Sequence, residues 1–206
     1  MIPVMEKDAH IFRHHSEEIW QQLSRHLTPR DGVPEWDGKP IRVVHGPFVL
    51  VLDVHSHLGG YATEIVTRLR AAYINRDGFR FRVFRHSPMA DLVTRLGAQD
   101  VKIGDDAFDR EFVIKATDEE KVRRLLARPD LRAAMLESRA HTIEVKSDEG
   151  TFGPDFPDGV DELLLEAPDR ITAVGEIDVL YGIFAELLNR LCHLGSAYED
   201  DPQLQL

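Results

Sequence analysis

Apolar and polar residues alternate along residues 47–57, and this alternation predicts a β-strand whose two faces differ. The odd positions of the segment include three ionisable residues, whereas the even positions are apolar: Asp53, His55 and His57 against Phe48, Leu50, Leu52 and Val54. Successive side chains of a strand point to opposite faces. The segment therefore predicts one face packed on a core and one polar face.

A hairpin is predicted to join this strand to a second one over 61–74. The pair Gly59-Gly60 between them is typical of a two-residue hairpin loop. Such a loop predicts a register in which His55 lies opposite Glu64. The apolar positions of the two strands then share one face, as a half-buried sheet requires.

A third strand is predicted over 79–85, after a glycine-containing turn at 76–78. It completes an antiparallel β-meander over about 47–85. In this arrangement the third strand lies beside the second, so that Arg70 and Arg82 become diagonal neighbours on the polar face.

Helical periodicity appears at both ends of the chain. Ser16 is a predicted N-cap of an amphipathic helix over 16–27. A short helix is predicted over 87–96, and the last helix, about 176–194, carries the widest apolar stripe. Strands and helices come in runs without regular alternation. The prediction is an α+β fold: an antiparallel sheet built from the meander and later hairpins, packed on a long C-terminal helix.

The length of 206 residues suits a single α+β domain, and no Gly- or Ser-rich linker divides the chain. The N-terminal arm over 1–15 and the acidic tail over 198–206 are expected to be loosely attached.

Charge and cysteine content narrow the function classes. The 25 basic and 36 acidic residues give a net charge of −11, which disfavours binding to a phosphate backbone. The single cysteine, Cys192, excludes an internal disulfide and suits a reducing compartment. The apolar runs are far shorter than the ~20 residues that span a bilayer, and no secretory signal is visible. We therefore expect a cytoplasmic protein without nucleic-acid or membrane partners.

The polar face of the first strand offers a candidate metal site. Asp53 and His57 are ~13 Å apart on a straight strand, too far for one ion to take both. Histidines two residues apart share a face, however, and can converge on one ion. With a carboxylate from across the hairpin they form a two-histidine, one-carboxylate set: His55, His57 and Glu64. The alternative is a solvated sheet face with an ordinary cross-strand polar pair.

Four arginines on the second and third strands form a candidate anion site: Arg68, Arg70, Arg80 and Arg82. Arginine suits bidentate contacts to carboxylate or phosphate. Two alternatives stay open. The arginines can pair with the protein's own acids, for instance Asp53 diagonal to Arg68, or they can belong to a protein–protein interface.

The stretch from Leu96 to Lys115 resembles a family of bacterial proteins of unknown function, as do shorter segments at 67–71, 77–81, 152–154, 160–163 and 195–200. The resemblance spans most of the chain after Ile41 and favours one complete unit. It implies no activity, cofactor or catalytic residue.

Familiar catalytic signatures are absent from the sequence: it has no phosphate-binding glycine loop, no Gly-x-Ser-x-Gly elbow and no His-Glu-x-x-His helix. The leading hypothesis is therefore a non-enzymatic protein that acts through protein–protein contacts, with a homodimer among the options and no catalytic residue or cofactor assigned. The alternatives are a metal-dependent hydrolase or metal-binding protein using His55, His57 and Glu64, and small-anion binding on the four arginines.

Overall fold

The computed structural model describes residues 5–27, 36–45, 48–59, 62–86, 100–148 and 156–198. Five helices lie within these ranges: α1 (Met5–Leu27), α2 (Asp106–Glu111), α3 (Glu119–Leu125), α4 (Pro129–Glu137) and α5 (Val174–His193). The same ranges hold eight strands: β1 (Ile41–His45), β2 (Phe48–Gly59), β3 (Ala62–Asn75), β4 (Phe81–Arg85), β5 (Phe112–Ala116), β6 (Thr142–Lys146), β7 (Val160–Pro168) and β8 (Ala197–Tyr198). The helix predicted over 87–96 lies outside the described residues.

These strands form one antiparallel sheet in the order β1-β2-β3-β7-β6-β4-β5, and β8 pairs with the end of β3. The predicted α+β class, the antiparallel sheet and the long C-terminal helix are confirmed. β7 lies at the centre because its middle residues, Leu163, Leu164 and Leu165, are buried on both faces. A strand whose residues are buried on both faces is most stable away from an edge.

The order of the strands differs from the prediction at one place. Three consecutive strands do form a meander, but they are β1, β2 and β3; the third predicted strand, β4, pairs instead with β5 and β6. β7 and β6 separate β3 from β4, so Arg70 and Arg82 are three strand spacings apart, about 14 Å. Their predicted diagonal contact was wrong, because the apolar strand β7 takes the place beside β3.

The register between β2 and β3 also differs. Gly59 pairs with Ala62, so the connection falls at residues 60–61, outside the described residues, and not at Gly59-Gly60. His57 lies opposite Glu64, and the predicted pairing of His55 with Glu64 was wrong. A shift of two residues keeps each side chain on its own face, so the predicted division into apolar and polar faces is retained.

The main core lies between one face of the sheet and the helices. We call this the inner face; Leu52, Leu69 and Leu165 are buried there in one cluster with the apolar stripe of α5. α1 packs along α5, and the Tyr181 hydroxyl donates to the backbone oxygen of Ser16 at 2.6 Å. Burial of each large aliphatic side chain contributes about 1.5–3 kcal/mol, so this layer holds the sheet against the helices.

The two ends of the chain were predicted to be loose. α1 begins at Met5, earlier than the predicted start at Ser16. At the other end β8 includes Tyr198, and residues 199–206 lie outside the described residues. The loose attachment of 1–15 and 198–206 stays a prediction. No helix in the described part of the chain is long and apolar enough to span a bilayer.

Candidate functional site

The face of the sheet that points away from α5, here called the outer face, carries most of the ionisable residues predicted as site residues. Its apolar part is a separate small cluster of Val51, Ala72, Phe156 and Val160. Other outer positions of β2, β3, β7 and β6 carry acidic or basic side chains, among them Asp53, Arg68, Glu162 and Lys146. The chemistry of this face depends on which of those charges are neutralised within the sheet.

Asp53 is the centre of the charged part of the outer face, and only 4% of its surface is exposed. Arg68 lies directly opposite on β3 and donates twice, from Nε to Oδ1 at 2.8 Å and from Nη2 to Oδ2 at 2.9 Å. Arg70 adds a bond from Nη2 to Oδ2 at 2.9 Å. Burial alone would raise the pKa of Asp53, but the hydrogen bonds and charges of the two arginines outweigh it and lower the pKa.

A second buried acid extends these pairs across the sheet. Glu162 on β7 is fully buried; Nη1 of Arg70 lies 3.8 Å and Nζ of Lys146 lies 3.3 Å from its carboxylate. We call the set Asp53, Arg68, Arg70, Glu162 and Lys146 the buried ion-pair row. Since buried charges are tolerated only when they are paired, the ion pairs of this row fix the positions of its side chains beneath the outer face.

The other two predicted arginines lie apart from this row. Arg82 pairs with Glu144, directly opposite on β6, at 3.4 Å. Arg80 donates to Asp161 at 2.9 Å, and Asp161 shares the inner face with its cross-strand partner Tyr73. Each of the four arginines thus has an acidic partner, and the four do not form one cluster. Binding of a small anion by this set stays a prediction.

A groove of about 710 Å³ runs across the outer face beside the row. It extends from the start of β3, at Glu64, across β7 and β6 to Arg82 on β4; His141, Glu166 and Asp169 also line it. Glu166 lies directly across β3–β7 from Arg68, so the groove borders the buried ion-pair row.

Carboxylates outnumber cations in the groove. Glu64 is exposed and makes no ion pair or hydrogen bond with the residues that the structure describes. Asp169 is bound by Arg139 at 2.7 Å, outside the lining. Burial raises the pKa of Glu144, beside Arg82, and the nearby Glu166 charge adds to this, although Arg82 opposes it. The lining of the groove therefore holds more carboxylates than arginines, which favours a cation over an anion.

The predicted metal ligands come to one region of the outer face. The register places His57 opposite Glu64 and His55 opposite Val66. Glu64 and Val66 line one end of the groove, so both histidines lie beside that end. The side chain of His57 lies outside the described part of the structure. Among the described side chains, no three of the His, Cys, Asp or Glu type are grouped so that they could hold a metal ion. The set stays a prediction.

Sequence reasoning missed the groove residues that come from β6 and β7. The groove lies next to Glu64 only because β7 pairs with β3, which comes about a hundred residues earlier in the chain. This pairing brings His141, Glu166 and Asp169 to the same groove as Glu64. One signal was available: Glu162, Leu164 and Glu166 alternate with the inner residues of β7, and two acids on the outer face of a central strand require basic neighbours. Lys146, opposite Glu162, is such a neighbour.

Comparison with known proteins does not assign the fold or the groove to a class: no family model, curated protein or solved structure matches the chain.

Proposed function

We propose that the protein is a non-enzymatic binding protein and that the acidic groove on its outer face accepts a basic segment of a partner protein. The observation that carries this proposal is the carboxylate of Glu64, which has no partner among the described side chains and lies in a groove whose lining holds more acids than arginines. A lysine or arginine of a partner would complete the charge balance that the chain's own described residues leave open at Glu64.

The rest of the lining favours a peptide over an isolated cation. Ile65 is 48% exposed and Pro168 is also exposed, so aliphatic surface adjoins the carboxylates. A segment with a basic residue next to an aliphatic one would contact both kinds of surface. Because the ion pairs of the buried ion-pair row fix the side chains beside the groove, little ordering of the groove would oppose binding.

We propose a different protein as the partner rather than a second copy of this chain. Two copies that each carry a net charge of −11 repel one another at long range. A homodimer would give twice the monomer mass in sedimentation at physiological salt, and that result would redirect the proposal to self-association. The reducing, cytoplasmic setting is also part of the proposal, since the one cysteine, Cys192, forms no disulfide.

The direct test is fluorescence polarisation with a labelled eight-residue peptide of alternating lysine and leucine. The wild type is expected to bind it at micromolar concentration, whereas a glutamate–leucine peptide of the same length does not bind. Glu64→Gln should weaken binding about fivefold to tenfold through loss of one charge-assisted contact. The matched control is Glu120→Gln, which removes an exposed glutamate on α3 and should change affinity less than about twofold. Equal losses in the two variants would mean that only net charge matters, and would contradict the proposal.

The pairing register of β2 with β3 supports a second candidate function: the binding of a transition-metal ion by His55, His57 and Glu64. His57 and Glu64 are direct cross-strand partners, and His55 is the next residue on the same face of β2. Elemental analysis after exposure to Zn²⁺ should give about one equivalent in the wild type, and His55→Ala should lose it. Metal content below a tenth of an equivalent in both proteins would remove this candidate.

A further inference from the structure

A second cavity, of about 370 Å³, lies on the other side of the molecule between α5 and the connection from α3 to α4. Three arginines and one histidine line it, whereas only one acidic side chain does: Arg124, Arg128, Arg190 and His193 with Glu186. Such a concentration of cations is unusual in a chain of net charge −11. The proposed function on the outer face does not use it.

Two of the arginines retain donor capacity that faces no acid within bonding distance. Arg190 donates through Nε to the backbone oxygen of Leu125 and through Nη2 to that of Arg124, but its Nη1 lies 3.9 Å from the Glu186 carboxylate, too far for a hydrogen bond. The guanidinium of Arg124 makes no ion pair or hydrogen bond with the described residues. Burial lowers the pKa of Arg190, which indicates that Glu186 compensates its charge incompletely.

Asn189 is a second observation at this cavity, on the wall that it shares with a neighbouring cavity between α1 and α5. It lines the cavity, is 7% exposed, and its Oδ1 atom receives no hydrogen bond from any residue of the described ranges. A buried acceptor without a donor costs about 1–3 kcal/mol, so proteins rarely keep one without a reason. The neighbouring polar group, Nδ1 of His193, is already bound to the backbone oxygen of Asn189 at 2.8 Å.

We propose that this cavity binds a small anion that carries its own hydrogen-bond donor, such as a hydrogen phosphate group or a hydroxycarboxylate. The anionic oxygens would accept hydrogen bonds from Arg124 and from Nη1 of Arg190. The hydroxyl of the same ligand would donate to Oδ1 of Asn189. A ligand of this kind satisfies the donors and the acceptor together, which neither a plain cation nor an anion without a donor does.

Phosphate and sulfate provide the matched probes, because they have nearly the same shape but only phosphate keeps an O–H donor at neutral pH. Isothermal titration calorimetry at low ionic strength is expected to give submillimolar affinity for inorganic phosphate or for citrate, and at least tenfold weaker affinity for sulfate. Binding of phosphate alone would identify a phosphate-type ligand, and binding of citrate alone would identify a hydroxycarboxylate. Absence of binding by both up to about 10 mM would overturn the proposal.

Variants separate the site from general electrostatics. Arg124→Gln should weaken binding about tenfold. Arg110→Gln removes an exposed arginine on α2 that likewise has no partner among the described residues, and it should change binding less than about twofold. Asn189→Leu should remove the preference for phosphate over sulfate and leave the fold intact, because the variant loses a buried acceptor that has no donor. Equal affinities of the two anions in the wild type, or equal effects of the two arginine variants, would show that the cavity is not the site.

Discussion

Arg68 holds Asp53 in a two-pronged contact across β2 and β3, with Nε 2.8 Å from Oδ1 and Nη2 2.9 Å from Oδ2. The two residues are direct cross-strand partners. Arg70, two residues after Arg68 on β3, binds the same carboxylate. The consequence reaches beyond the pair. Because Asp53 occupies both guanidinium groups, we expect ligands of the outer face to bind through the groove carboxylates and not through these arginines.

Replacing Asp53 should expose how much this contact stabilises the fold. Asp53→Asn leaves two buried guanidinium groups without their carboxylate and should lower the free energy of unfolding by about 2–4 kcal/mol at pH 7. The pKa of Asp53 is lowered from its ordinary value of 3.8, so the contribution is present above that value and is lost as the pH falls through the lowered pKa. Urea unfolding at pH 7 and pH 3 should therefore show a smaller difference between variant and wild type at pH 3.

The control for this prediction is an exposed ion pair of the same kind. Asp37 pairs with Lys39 at 2.6 Å in a solvent-exposed position. Asp37→Asn should change the free energy of unfolding by less than about 1 kcal/mol. Similar losses in the two variants would contradict the view that burial makes the Asp53 contact important.

The contribution of Glu144 to the stability of the fold should depend on pH in the opposite direction from that of Asp53. Burial raises its pKa above the ordinary value of 4.5, so the folded state holds the proton more tightly than the unfolded chain. The stability from that proton is present below 4.5 and is lost as the pH rises through the raised pKa. Glu144→Gln keeps the neutral form and should raise stability at pH 7 but not at pH 4. A destabilised variant at pH 7 would show that the contact with Arg82 dominates.

Two tyrosines form a matched pair for testing the inner layer. The Tyr73 hydroxyl is fully buried and has no hydrogen-bond partner among the described residues, whereas that of Tyr181 donates to Ser16. Tyr73→Phe should leave the melting temperature unchanged or raise it. Tyr181→Phe should cost about 1 kcal/mol, because it removes the bond between α5 and α1. The two variants are compared by their melting temperatures. A larger decrease for Tyr73→Phe than for Tyr181→Phe would show that the Tyr73 hydroxyl does form a stabilising hydrogen bond.

Arg85 closes the C-terminal end of α4. Its Nη2 donates to the backbone oxygens of Met135, Leu136 and Ser138 at 2.9–3.1 Å, and its Nε donates to Ala140. Carbonyls in the last turn of a helix lack intrahelical donors, and Arg85 binds several of them, with the Ser138 hydroxyl also donating to Met135. Arg85→Lys cannot reproduce the planar set of donors and should cost about 2 kcal/mol in urea unfolding.

The exposed residue Arg110 serves as the control for this substitution. Arg110→Lys should stay within about 0.5 kcal/mol of the wild type. Equal stability of the two variants would argue against the capping role of Arg85.

Local patterns were sufficient to predict β2, β3, β4 and α5 but not the order of the strands in the sheet. The alternation in 47–57 and the apolar stripe of the last helix report burial on one face, and the structure has both. The place of β7 between β3 and β6 depends on pairing between distant segments, which no turn residue specifies. A strand buried on both faces carries no alternation to reveal its neighbours.

The candidate site shows the same limit. The contact between Asp53 and Arg68 was foreseen as one alternative because both residues belong to one hairpin. Glu162 and Lys146, which complete the buried ion-pair row, come from other strands and were not foreseen. Likewise Glu64 was singled out for its place opposite a histidine, whereas its position in a groove with Glu166 and Asp169 required the non-local pairing of β3 with β7.

The central claim is that the outer groove is the binding surface for a basic segment, and amide chemical-shift mapping with the lysine–leucine peptide tests it most directly. The account predicts that the shifting amides cluster at residues 63–66, 141–142, 166 and 169, which line the groove, and that Glu64→Gln reduces these shifts. Shifts scattered over the acidic surface, or confined to the helical side of the molecule, would contradict it.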